Sequence, residues 1–122
     1  MNEFLALLFL SREIAHREHL STNSRSDHLA LGTFYEEVED LIDSLAETYQ
    51  GRYGIVRPIP ILTKIKGLDE ADSSVEKMEL LLDQVERTRY DAVNEEETSM
   101  QNIIDEIVAL FLSTLYQLKE LK

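Results

Sequence analysis

The sequence predicts an all-α protein: a four-helix bundle with one long crossover between its second and third helices. Three observations carry this. Only two prolines and four glycines occur in 122 residues, so little in the chain interrupts a helix. Apolar residues recur at spacings of three and four along most of its length. The breaks between these patterned stretches are unequal, two of them short and polar and one long and proline-containing. A chain of this size makes a single domain, residues 1–122, around one shared core.

The first helix is expected over about 2–20. Its start, Phe4 to Leu10 (FLALLFL), is apolar on every side, so more than one neighbour must cover it. In a chain this small, that predicts burial against a second copy. The polar tract 21–27 (STNSRSD) ends this helix and caps the next. The second helix is expected over about 27–50, with Leu31, Phe34, Val38, Leu41 and Leu45 on one side and Gly51 and Gly54 as its stop. Ser73 and Glu76 have capping-box spacing and open a third helix over about 73–93, whose stripe is Val75, Met78, Leu82 and Val85. Thr98 and Gln101 repeat that spacing for a fourth helix over about 97–121. It presents Met100, Ile104, Ile107, Phe111, Leu115, Leu118 and Leu121, and Lys119 and Lys122 stand at its end, where the helix dipole favours cations.

Short outer connections make the first and last helix pairs antiparallel neighbours. The middle connection, 51–72, is different. A 24-residue helix is ~36 Å long, and roughly 20 extended residues reach ~60 Å. The connection can therefore cross the whole bundle and return the chain to its starting end. Short, long, short is the connectivity of a ferritin-like bundle with one crossover.

Composition narrows function. The formal charge is −12, which argues against DNA as a partner, because binding it requires neutralising phosphates. Such a surface attracts cations. There is no cysteine, which excludes disulfides, zinc–thiolate sites and thiol catalysis and leaves a cytoplasmic setting as the default. The seven-residue apolar run is far short of the ~20 residues that span a bilayer, and Glu3, with no basic residue, precedes it, so neither a membrane segment nor a signal peptide is expected. No Gly-rich phosphate loop, nucleophile elbow or zinc-protease motif occurs.

Two sets of residues carry candidate chemistry. The first is His16, His19 and His28 with Asp43 and Glu47. Imidazole and carboxylate together suit iron, zinc or manganese. His16 and His19 share a face of helix one. On a helical wheel, Glu36, Asp40, Asp43 and Glu47 point opposite the apolar stripe of helix two, so they face either water or a second subunit. A solvated acidic face has the same spacing. The second set is the crossover GRYGIVRPIPILTKIKG, with Arg52, Arg57, Lys64 and Lys66 and no acid, leaving the remainder at −16. Its isoleucines are too apolar for a free linker, so it packs on the bundle. Two readings stay open: the bases pair with the acidic helices, or they form an anion site in which arginine supplies forked donors and Tyr53 a stacking face, suited to a nucleotide, a phosphate or a partner protein.

The stretch AHREHLSTNSRSDHLALGTFYEEVEDLIDSLAE resembles the first two helices of the Dps branch of the ferritin-like superfamily. The resemblance implies an oligomer, at least a dimer through helices one and two, with iron or another divalent metal oxidised at a site shared between subunits. Residue by residue, it assigns imidazole donors to His16 or His19 and His28 of one subunit, and carboxylates to Asp43 and Glu47 of its mate. His19 rivals His16 because it precedes Leu20, where the family usually has tryptophan. Departures are definite. Gly32 stands where the family carries an acidic ligand, tryptophan is absent, the proline-rich crossover replaces a small helix, and no basic tail of the kind that holds DNA precedes helix one. The segment ALGTFYEEVEDLIDSLAETYQGRYG is also similar to short phage-encoded ferritin-like proteins of unknown role, for which the host cytoplasm is implied.

Overall fold

The computed structural model describes residues 1–121, and Lys122 lies outside the described residues. Four helices are formed: α1 (Asn2–Ser21), α2 (Arg25–Tyr53), α3 (Ser74–Ala92) and α4 (Thr98–Glu120). Two of the expected caps are present. The Ser24 hydroxyl accepts from the Asp27 amide at 3.2 Å and opens α2, and the Ser73 hydroxyl accepts from the Glu76 amide at 3.1 Å and opens α3. The Glu76 carboxylate in turn accepts from the Asp72 amide, so the third helix starts on a nearly complete reciprocal cap.

Other local expectations need correction. Gly51 lies inside α2, and the helix stops only where Gly54 adopts φ 89°, a conformation that disfavours any residue with a Cβ. Gln101 does not cap α4: the N-cap is Glu97, without a side-chain bond, and the Gln101 amide is drawn into a buried network described below. The buried stripe of α2 is Leu31, Phe34, Val38, Ile42 and Leu45, with Leu41 only partly covered. Over a long helix, the 3.6-residue turn rotates the core face from Leu41 to Ile42.

α1 packs beside α2 and α3, and α4 packs beside the same two. The diagonal pairs α1–α4 and α2–α3 stay farther apart: among the described residues, none of their Cα atoms approach within 8 Å. The core is a square bundle interior, with Phe34 and Phe111 at its centre and their rings edge to face at 4.7 Å and 63°.

Helix directions follow from which ends meet. Glu18, late in α1, accepts from Ser74 and Lys77, early in α3. Tyr53, the last residue of α2, donates to Glu97 at the start of α4. Adjacent helices are therefore antiparallel throughout, and segment 54–73 joins opposite ends of the bundle, as its length allows.

This segment also covers α1. Phe4 to Leu8 and Leu10 are buried within the single chain, and Val56 and Leu68 of the connection belong to the same core. Pro60, Ile61 and Leu62 line clefts against α1, and the Asn2 side-chain amide holds the Pro58 carbonyl at 2.9 Å. The all-apolar helix therefore does not need a second copy to cover it. An extended segment of its own chain does so, leaving Phe9 and Leu20 as its exposed apolar residues.

Candidate functional site

Arg12, His16 and His19 follow one another at spacings of four and three and so line one face of α1. α2 runs antiparallel beside it and presents Glu39, Tyr35, Gly32 and His28 in the reverse order. The result is a seam of stacked rings. His16 lies on Tyr35 at 4.2 Å between ring centroids, Tyr35 meets His19 edge-on at 5.2 Å, and His19 stacks on His28 at 3.8 Å. The Arg12 guanidinium sits 5.8 Å from the Tyr35 ring centre and 3.4 Å from the Glu39 carboxylate.

The stacked histidines are held reciprocally. His19 Nδ1 bonds the His28 carbonyl at 2.6 Å, and His28 Nδ1 bonds the His19 carbonyl at 2.8 Å. A carbonyl oxygen can only accept, so Nδ1 carries the hydrogen in both rings. In the neutral rings, the lone pair is then on Nε2 in both.

Gly32 makes the arrangement fit. A Cβ there would lie 2.9 Å from His19 Cε1 and 3.1 Å from its Nδ1. The His19 ring fills the space over Gly32, so no carboxylate at position 32 is compatible with this packing.

The metal candidates divide into two groups. His16 and His19 are half-buried and His28 is exposed, all on the α1–α2 seam. Asp43 and Glu47 are exposed on the outer face of α2 with Glu36 and Asp40, opposite the core. His28 and Asp43 are 15 residues apart on one helix, a separation of ~22 Å along its axis. Within one chain the histidines and carboxylates do not converge, and among the described residues no group of three or more His, Asp or Glu could hold a metal ion.

The basic candidates do not form one site either. Arg52 Nε lies 3.1 Å from one Glu97 carboxylate oxygen, and the Tyr53 hydroxyl donates to the other at 2.6 Å. Lys64 faces Asp69 at 3.8 Å, and Arg57 and Lys66 are exposed. Of the two readings of this segment, pairing with acids of the bundle describes Arg52 and Tyr53, and a free anion there would have to displace Glu97.

The Glu97 hydrogen bond, with Glu97's charge and some loss of hydration, raises the Tyr53 pKa above its usual 10.0. A raised folded-state value means this contact stabilises the fold fully below pH ~10 and loses that contribution as pH rises through the higher value. We expect spectrophotometric titration of the native chain to show a phenolate forming above the ordinary tyrosine range, and Tyr53→Phe to remove it. An unchanged titration curve would contradict the contact.

Two polar clusters were not legible in the sequence. Arg89, buried on α3, donates from Nε to Gln101 Oε1 at 2.9 Å, and from one terminal nitrogen to the Gln101 carbonyl at 3.0 Å and Asp105 Oδ1 at 2.7 Å. Gln101 Nε2 donates in turn to the Val93 carbonyl at 2.9 Å, tying down the α3–α4 turn. At the other end, Glu18 takes Ser74 at 2.8 Å and Lys77 at 2.7 Å. The available signal was Arg89's register, four residues after Val85, which puts a charge on the apolar stripe.

A protein-family model matches residues 19–118. The chain belongs to this family, described as a family of unknown function (DUF5856). The DUF5856 match takes in His19, Gly32, His28, Asp43, Glu47 and the basic crossover, while His16 lies ahead of it. No curated protein and no solved structure matches the chain. Among the described residues, no helix is long and apolar enough to cross a membrane.

Proposed function

We propose that this chain is a ferritin-like protein related to the Dps branch, which assembles into at least a dimer and binds a divalent metal, iron first, at a site shared between copies. The observation that carries the reading is the reciprocal His19–His28 arrangement. A ligating histidine commonly donates its other ring N–H to a carbonyl, which fixes tautomer and orientation. Here both rings do so, which leaves Nε2 of each as the ring nitrogen free to bind a metal. Asp43 and Glu47, exposed on the outer face of α2, supply carboxylate oxygen to a neighbouring copy's histidines. The one-crossover topology, with every neighbouring pair antiparallel, supports the ferritin-like assignment.

His19, rather than His16, is the partner of His28, because His19 and His28 hold each other's carbonyl oxygens through Nδ1. Bound iron would supply one-electron chemistry toward oxygen or peroxide. With His19 packed over Gly32, the site has one acid fewer than the resemblance implies, which favours binding over rapid oxidation.

The test is metal content by elemental analysis after anaerobic loading with Fe²⁺ and, separately, Zn²⁺. The wild type should retain metal through gel filtration. His19→Ala/His28→Ala and Asp43→Ala/Glu47→Ala should each lower affinity by at least about tenfold, since loss of even an outer-shell partner costs that much. Mixing the two double variants should restore binding, because each mixed pair regains one intact site. A wild type that emerges metal-free, or carboxylate variants that bind normally, would overturn the reading.

A further inference from the structure

The crossover leaves part of its apolar surface uncovered. Ile61 is 92% exposed and Ile55 69%, and Arg57, Lys64 and Lys66 stand among them on the surface. An exposed apolar strip rimmed by cations marks a contact surface on a chain that is otherwise strongly acidic.

The complementary surface is on the same molecule. Between α2 and α4 lies an open groove lined by the apolar Leu41, Ala109 and Leu110 and by the acids Glu37, Asp40 and Glu106. It offers apolar contact and three acids, against the apolar contact and three bases of the crossover. The two surfaces cannot meet within one chain. The crossover lies against α1 and reaches α3 at Gln84 and Thr88, whereas the groove lies between the two remaining adjacent helices. They occupy opposite faces of the square bundle.

We propose that the crossover of one copy docks into the α2–α4 groove of a second copy, with Ile61 entering the groove and Arg57 and Lys64 meeting Glu37, Asp40 and Glu106. Charge complementarity selects the occupant: the groove repels acidic partners, and the chain itself carries the matching basic, apolar segment. The contact is head to tail, because the two surfaces lie on opposite faces of the bundle and cannot engage the same neighbour reciprocally, and repeating it builds a ring or an open filament rather than a closed two-fold dimer. It uses neither the α1–α2 seam nor Asp43 and Glu47, so it stands apart from the metal reading.

Sedimentation velocity of the full chain at micromolar concentrations, in low and high salt, tests it. The wild type should form species larger than a dimer that shrink as salt screens the charges at the contact. Ile61→Asp should weaken association by roughly tenfold or more; that residue is too exposed for its replacement to unfold the chain. Arg57→Glu/Lys64→Glu and Glu37→Lys/Asp40→Lys should each do the same, and all four changes in one chain should restore association. A monomeric wild type, indifference to Ile61→Asp or to either charge reversal, or failure of the four-fold exchange to restore association would each overturn the proposal.

Discussion

Phe34→Ala should destabilise the fold by about 3–5 kcal/mol, the range for truncating a fully buried phenylalanine. Phe34 is fully buried on α2, and its ring meets Phe111 of α4 edge to face at 4.7 Å. Truncation loses the transfer energy of the ring, that aromatic contact and the packing around the void. The site cannot collapse easily, since Leu31, Val38 and Ile107 around the same core belong to long helices whose positions many other contacts fix. A domain of this kind has roughly 5–15 kcal/mol in total, so the variant stays folded but near its limit. Urea unfolding followed by circular dichroism gives the answer. A loss below about 1 kcal/mol would mean that the two rings do not occupy the bundle centre.

Arg89→Ala should cost about 3 kcal/mol, with Arg87→Ala, two residues away, within about 0.5 kcal/mol of wild type. Burial separates the two. Arg87 and Asp83 are both largely exposed and form an i, i+4 pair that solvent screens. Arg89 is 9% exposed and satisfies both the side-chain and the backbone oxygen of Gln101, itself buried, as well as Asp105. Its removal leaves those Gln101 oxygens without donors in a place water reaches poorly, and an orphaned buried acceptor costs more than the bond contributed. The pair of variants is read from the same urea curves. Equal losses at the two positions would show that the network is no more buried than the surface pair.

Much of the helical layout was legible from residue spacing. Leu31, Phe34, Val38 and Leu45 were expected inside and are buried, while Glu36, Asp40, Asp43 and Glu47 were expected outside and are exposed. Ser73 with Glu76 announced the start of α3. The small misses were of drift and competition. Leu41 gave way to Ile42 because 3.6 does not divide evenly into threes and fours, and Gln101 was taken from its cap by a stronger, charged donor.

What the chain alone determined, then, is the number and type of its helices, the direction each face points, and a middle connection long enough to join opposite ends. These depend on neighbours within a turn or two, which spacing encodes. Tertiary structure alone decided that His19 would stack on His28 over Gly32, that Arg52 and Tyr53 would take Glu97, that Arg89 would find Asp105, and that the crossover would cover α1. Each of these depends on how far one helix slides along another and on where a chain segment lies across them. That offset comes from the packing of the whole core and leaves no periodic mark on either helix.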